Sequence, residues 1–79
     1  MNVDKIKQVL IAVPGFENVE VSGDGYHFQV RVVSREFEGK MKVSRQRLVY
    51  QYLKDWIADG SLHAVEIETL TPSEWENLK

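Results

Sequence analysis

The topology of this 79-residue chain is set by the segment Tyr26–Leu70, YHFQVRVVSREFEGKMKVSRQRLVYQYLKDWIADGSLHAVEIETL. Apolar and polar residues alternate at both of its ends, which is the period of a half-buried β-strand. Its middle has the apolar spacing of an amphipathic helix. Two strands joined by a helix usually pair in parallel through a right-handed crossover. The segment therefore predicts a β-α-β unit at the centre of the fold.

Each predicted strand of this unit has one apolar and one polar face. Apolar residues alternate along YHFQVRVVS and LHAVEIETL at these positions: Phe28, Val30, Val32, Val65 and Ile67. His27 shares the polar face of the earlier strand, and Glu66 and Glu68 share that of the later strand. His63 alternates in step with Val65 and Ile67, so an ionisable ring stands at the beginning of an otherwise apolar strand face.

The strongest helix pattern begins near Ser44, which can act as its N-cap, and ends at Asp59-Gly60. Gly60 can adopt the left-handed conformation that ends many helices. The predicted buried stripe consists of Val49, Tyr52 or Leu53, and Trp56 or Ile57.

The flanking segments complete an α-β-β-α-β-α order. A first helix capped by Asn2 stops at Pro14-Gly15, and a short strand, NVEVS, turns at Gly23–Gly25 into the β-α-β unit. The sequence TPSEW predicts a last helix with Thr71 as N-cap and Glu74 closing a capping box. We therefore predict an α+β domain, a three-stranded mixed sheet covered on one face by helices.

Length and composition are those of one globular domain spanning residues 1–79, with 43% hydrophobic and 28% charged residues. There is no cysteine, which excludes disulfides, cysteine-ligated zinc and a cysteine nucleophile within this chain. No apolar run approaches the roughly 20 residues of a membrane span, and MNVDKIKQVL does not resemble a signal peptide. We expect a cytoplasmic protein with no membrane association, a monomer or weak homodimer when alone.

The charge distribution offers a nucleic-acid face. Although the net charge is −2, the run KMKVSRQR contains no acid and four cations: Lys40, Lys42, Arg45 and Arg47. A basic stripe of this kind can bind phosphates, or it can be a solvated loop and helix start. The α-β-β-α-β order resembles the KH class of nucleic-acid domains in fold. However, EGKMKV lacks the glycine-x-x-glycine clamp of KH loops, and the chain is acidic overall.

Catalysis has little support, because neither histidine stands in a recognisable arrangement with a serine and a carboxylate. His27 and His63 are too far apart in sequence to form a local metal chelate. A histidine on an apolar strand is more often a hydrogen-bonded core or rim residue than a ligand. The spacing alone therefore leaves both roles open for His63.

Several short motifs, in this order and spacing, resemble the BolA family, and within it a bacterial BolA-like subgroup with a short first hairpin. They are His27–Val30 (HFQV), Phe37-x-Gly39, Arg45-x-Arg47-x-Val49-Tyr50, His63-Ala64 and Thr71–Trp75 (TPSEW). The resemblance covers nearly the whole chain. It implies a single BolA-like domain with a KH-like (type II-like) fold.

The resemblance also implies a non-enzymatic role in iron–sulfur cluster assembly, trafficking or sensing. BolA proteins pair with monothiol glutaredoxins and share a [2Fe–2S] cluster, to which the partner gives a cysteine, glutathione a thiolate, and the BolA protein histidine. The family's ligand histidine corresponds to His63, and the protein alone is expected to be apo. Relatives often have a second His or Cys ligand in a longer first hairpin, where this chain has only SGDG.

Two further positions follow from the resemblance. His27 matches the family's HF position rather than that of the loop ligand, so it is a secondary metal candidate. Relatives often have Arg-His-Arg where this chain has Arg45-Gln46-Arg47. Some BolA proteins act as transcription factors, so DNA binding through Lys40, Lys42, Arg45 and Arg47 is the alternative function.

Overall fold

The computed structural model describes all 79 residues and contains four α-helices and three strands. In chain order these are α1 (Val3–Ile11), β1 (Asn18–Gly23), β2 (His27–Val33), α2 (Lys42–Tyr50), α3 (Lys54–Ala58), β3 (Ala64–Leu70) and α4 (Pro72–Leu78). A single 3₁₀ turn at Arg35–Phe37 lies between β2 and α2. None of the helices has the length and apolar character required to cross a bilayer.

The sheet has the order β1-β2-β3, with β2 antiparallel to β1 and parallel to β3. The parallel ladder runs in register from His27 opposite Ala64 to Val33 opposite Leu70. This confirms the predicted mixed sheet and the parallel pair. The crossover also brings the beginnings of β2 and β3 to the same end of the sheet.

The core lies between one face of the sheet and the helices α1–α3. Its fully apolar cluster consists of Ile6, Leu10, Phe16, Val19, Phe28, Val30, Val32, Phe37, Val49, Leu53 and Leu62. The predicted alternation along β2 is confirmed, because Phe28 and Val30 are buried while Gln29 is exposed. Helix α4 lies beside β3, and the guanidinium carbon of Arg31, on the polar face, stands 5.2 Å from the Trp75 ring centroid.

The helix ends follow the predicted capping at both termini of the chain. The Asn2 side chain accepts a hydrogen bond of 2.9 Å from the Lys5 backbone N–H. At α4, the Thr71 hydroxyl accepts from Glu74 N–H and the Glu74 carboxylate accepts from Thr71 N–H. These bonds satisfy backbone donors that a helix start leaves without partners.

The start of the middle helix differs from the prediction, because α2 begins at Lys42 and Ser44 lies inside its first turn. Met41 occupies the N-cap position and makes no side-chain capping bond. The Arg45 N–H donates to the Met41 carbonyl at 3.0 Å, and the Arg45 Nε donates to the Lys40 carbonyl at 2.9 Å. The arginine thus fixes the helix start upstream of the serine.

The predicted continuous middle helix is two helices. The N–H groups of Tyr52 and Leu53 bond to carbonyls three residues back, so a tight turn interrupts the helix after Tyr50. The turn points Leu53 into the core and leaves Tyr52 exposed. Of the predicted stripe, Val49 and Leu53 are fully buried, whereas Trp56 and Ile57 are half-buried against the core.

Arg45 is a structural residue, which corrects its assignment to an exposed basic stripe. It is only 8% exposed, and its Nη1 lies 2.7 Å from Glu74 Oε1. The ion pair joins the start of α2 to the start of α4. A buried arginine without its carboxylate would be left uncompensated, so the pair is strongly required once it exists.

The turn between α2 and α3 predicts unequal losses of stability for substitutions at two adjacent residues. Leu53→Ala should lower the free energy of unfolding by about 2–5 kcal/mol, because it opens a cavity in the core. Tyr52→Ala should cost about 1 kcal/mol, chiefly its edge-on contact with Phe16. Urea denaturation of both variants measures the difference. Equal losses would show that the helix continues through this segment.

The Glu74 carboxylate should make stability pH-dependent. The Thr71 N–H hydrogen bond, and next the Arg45 guanidinium, hold the pKa of Glu74 below its ordinary value of 4.5. A carboxyl whose pKa is lowered by folding stabilises the fold above its unfolded pKa, and this stabilisation is lost as pH falls through the folded pKa. Its size is modest, because the side chain is 40% exposed.

Denaturation of the wild type and of Glu74→Gln at pH 7 and at about pH 3 tests this linkage. The wild type should lose more stability on acidification than the variant, which has no charge to lose at this position. Glu76→Gln, whose carboxylate is mostly exposed, is the matched control and should behave as the wild type. An equal acid loss in Glu74→Gln would contradict the assignment.

Candidate functional site

A short hairpin loop between β1 and β2 builds one side of the site. The Asp24 Oδ1 accepts hydrogen bonds from the backbone N–H groups of Tyr26, at 2.9 Å, and His27, at 2.8 Å. These bonds, that of His27 first, hold the pKa of Asp24 below its usual range. Gly25 adopts φ = 94°, a conformation that favours glycine. A Cβ at Gly23 would lie 2.5 Å from the His27 carbonyl oxygen, so this loop closes tightly only with glycine there.

The loop places Tyr26 against His63. Their rings are stacked, with centroids 5.4 Å apart and an interplanar angle of 17°. Tyr26 also meets His27 edge-on, at a centroid distance of 5.2 Å. The two histidines, which are far apart in sequence, therefore both contact one tyrosine ring.

Both candidate metal ligands are exposed at this end of the sheet. His63 immediately precedes β3 and His27 is the first residue of β2. Neither imidazole takes part in a side-chain hydrogen bond or ion pair within the chain. No group of three or more His, Cys, Asp or Glu side chains is gathered anywhere to hold a metal ion. The chain thus presents two imidazoles without polar partners, and no Cys, Asp or Glu side chain is grouped with them.

A groove of about 410 Å³ opens beside the two imidazoles. Its apolar lining comes from the strands and the helical layer: Phe28, Tyr50, Ile57 and Val65. Tyr50, the last residue of α2, is 45% exposed. The groove can therefore receive an apolar group of another molecule next to the histidines.

A larger groove, of about 550 Å³, covers the polar face of the sheet, and its only cation, Arg31, is already paired. Arg31 forms ion pairs with Glu68 and Glu20, and its guanidinium lies over the Trp75 ring. The bond to Glu68, as the largest cause, raises the pKa of Arg31. This face offers no unpaired arginine to a ligand.

The four cations of the basic segment differ in their contacts. Lys40 Nζ donates to the Glu36 carbonyl at 2.7 Å, and Lys42 Nζ donates to the Thr69 carbonyl at 3.3 Å. Arg45 is buried and paired with Glu74. Arg47 is exposed and takes part in no ion pair. Sequence spacing could not distinguish Arg45 from Arg47, because both are polar positions of one short helix.

Gln46 has a structural role too. Its Nε2 donates to the Ile67 carbonyl at 3.1 Å, on the side of β3 away from β2. Together with Lys42, it occupies two backbone acceptors of an edge strand. Such contacts hinder the addition of another strand at that edge.

Three residues of the site were missed by sequence reasoning: Tyr26, Tyr50 and Ile57. Tyr50 and Ile57 reach the groove because the helix breaks between them, which no local pattern indicates. Tyr26 meets His63 because the parallel register sets His27 opposite Ala64, which makes the residues one step earlier neighbours. This register is known only from the structure, so no local sequence pattern indicates Tyr26.

Comparison with known proteins shows what the chain is similar to. It is 44% identical over 75 residues to the acid stress protein IbaG of Escherichia coli strain K12. The aligned residues make up 95% of this chain and 89% of the relative. A solved structure of a bolA protein homologue from Coxiella burnetii has a TM-score of 0.80 and 34% identity, and covers 96% of this chain and 97% of that one.

The same fold is found in BolA1 from Arabidopsis thaliana, with a TM-score of 0.74, 32% identity and coverage of 94% of this chain and 96% of that chain. A sequence model of the family described as BolA-like protein matches residues 9–74. This span includes both histidines, the basic segment and the capping box of α4. The chain therefore belongs to the BolA-like protein family.

Proposed function

We propose that this protein is a non-enzymatic partner of a monothiol glutaredoxin, with which it binds a shared [2Fe–2S] cluster. In this proposal His63 is the ligand of the chain, His27 is the secondary candidate, and the protein alone is apo. The complex would serve cluster assembly, trafficking or sensing in the cytoplasm. The E. coli relative is named an acid stress protein, and we extend a role in stress to this chain as part of the same proposal.

The proposal rests on a pair of exposed histidines that could supply part, but not all, of the ligands of a metal centre. The chain exposes two imidazoles at one end of the sheet and groups no carboxylate or thiol with them. A [2Fe–2S] cluster needs ligands on both irons, and imidazoles can replace thiolates on one of them. Since the chain has no cysteine, thiolates would have to come from a partner. The donor set therefore fits one half of a shared cluster.

The surroundings of the imidazoles suit contact with another protein. The groove beside them is partly apolar, and the ring of Tyr50 lies at its helix side. Exposed aromatic side chains beside an apolar groove are typical anchors of protein interfaces. A partner that docks there would bring its own ligands next to His63 and exclude water from the site.

His63→Ala should abolish the spectrum of the mixed cluster but not the fold. The side chain is exposed, so its loss costs little stability. Histidine ligation raises the reduction potential and alters the electronic spectrum relative to thiolate ligation. After reconstitution with a monothiol glutaredoxin, glutathione, iron and sulfide, the wild type should give a visible circular dichroism spectrum distinct from that of the glutaredoxin alone. His63→Ala should give only the glutaredoxin spectrum.

His27→Ala is the matched control, since it removes the neighbouring imidazole from the same end of the sheet. We expect a smaller spectral change than for His63→Ala. A wild-type spectrum from His63→Ala would refute the ligand assignment. If the wild-type protein fails to alter the glutaredoxin spectrum or to form a complex with it, the proposed function is wrong.

The alternative function is binding of duplex DNA. Fewer cations of the basic segment are accessible for it than the sequence suggested. Without Arg45, the accessible cations of the segment are Lys40, Lys42 and Arg47. Both lysines are exposed and could exchange their carbonyl contacts for phosphates. Arg47 favours this alternative most directly, because it is an exposed arginine outside every ion pair.

Salt dependence tests the DNA alternative. Each neutralised phosphate adds nearly one unit to the slope of log affinity against log salt, so three contacts give a slope of about −2.7. Arg47→Ala should flatten the slope by nearly one unit, as measured by fluorescence anisotropy at several salt concentrations. Arg45→Ala should instead lower stability. No binding at low salt, or an unchanged slope in Arg47→Ala, would rule out this segment as a DNA site.

A further inference from the structure

We propose that Tyr26 is a positioning residue that holds the imidazole of His63 in its orientation. Its ring replaces the hydrogen bond that orients other metal-binding histidines. The inference rests on the proposed function in so far as the oriented imidazole is used as a ligand. The short hairpin between β1 and β2 would then orient a metal ligand and not supply one.

The first support is that the His63 ring has no polar partner. A histidine ligand usually donates its second ring N–H to a carboxylate, carbonyl or water, which fixes the ring orientation. No such bond to the His63 ring exists in this chain, and the residue stands outside the ladder, one position before β3. Its main oriented contact is the face of Tyr26, at 5.4 Å and 17°.

The second support is that the backbone of Tyr26 is held in place beside His63. The in-register parallel pairing of β2 with β3 starts at His27 and Ala64, so Tyr26 is set beside His63 by the sheet. The Asp24 carboxylate binds the N–H groups of both Tyr26 and His27. The aspartate and the glycines fix the backbone of this turn, and the turn fixes the position from which the Tyr26 side chain extends.

The third support is chemical. Stacking uses the ring face and leaves both nitrogens of His63 free, one for a metal and one for water or a partner group. The Tyr26 side chain is 61% exposed, so burial does not account for its position. The stack needs an aromatic ring and not the phenol, and this distinction separates a positioning role from ligation by the phenolate.

The first test uses the protein alone and follows the ring protons of His63 by nuclear magnetic resonance. Tyr26→Ala removes the ring current, so the His63 resonances should move downfield towards those of a free histidine. Tyr26→Phe should leave them close to the wild type. Val43→Ala, an exposed apolar substitution on α2, is the control for a non-specific effect. Far-ultraviolet circular dichroism confirms that each variant is folded.

An unchanged His63 resonance in Tyr26→Ala would overturn the proposal, because it would show that the two rings are not in contact in solution. The same holds if Tyr26→Phe shifts the resonance as much as Tyr26→Ala does. Neither result depends on cluster binding. This test therefore decides on the stack even if no glutaredoxin complex forms, an outcome that would refute the proposed function alone.

The second test uses the complex reconstituted with monothiol glutaredoxin, glutathione, iron and sulfide. Tyr26→Phe should reproduce the visible circular dichroism of the wild type, whereas Tyr26→Ala should lose or broaden the bands that depend on His63. Loss of these bands in both variants would show that the phenol acts as a donor and would overturn the positioning role. Wild-type bands in Tyr26→Ala would show that the orientation of His63 does not require the ring.

Discussion

In-register parallel pairing between β2 and β3 is the constraint on which the candidate site depends. The ladder begins with His27 opposite Ala64, and in a parallel pair both strands begin at the same end of the sheet. The residues just before and at that point, Tyr26, His27 and His63, must then meet. A register shift by one residue would turn the buried face of β3 towards solvent, so burial of the core also protects the geometry of the site.

The ion pair between the buried Arg45 and the partly exposed Glu74 joins α2 to α4 at the other end of the crossover. It fixes where α2 begins and ties α4 to it, while Lys42 and Gln46 from the same helix bind carbonyl oxygens of the outer strand β3. Much of the positive segment thus stabilises the helical layer and shields a strand edge. Arg45 is buried and bonded to both Glu74 and the Lys40 carbonyl, so it is not available to bind phosphate in this fold.

Of the candidate site, the sequence supplied His63 and His27, and only the structure showed how they are arranged. Tyr26 looked like an ordinary residue at the beginning of a strand, because its importance depends on a partner distant in sequence. Arg45 and Arg47 looked equivalent, since a short helix pattern cannot tell which polar residue faces α4. The groove beside the histidines depends on the helix break after Tyr50, which lets Ile57 approach it.

The sequence by itself determined the element order, the strand faces, the hairpin turn and the capping of the first and last helices. These follow from local periodicity, glycine conformations and side-chain bonds spanning three residues, such as that of Thr71 with Glu74. The tertiary structure decided the burial of Arg45, the division of the middle helix and the stack of Tyr26 on His63. Each of these arises from contacts between residues distant in sequence, where the energy gained by packing or pairing overrides the local preference of the chain.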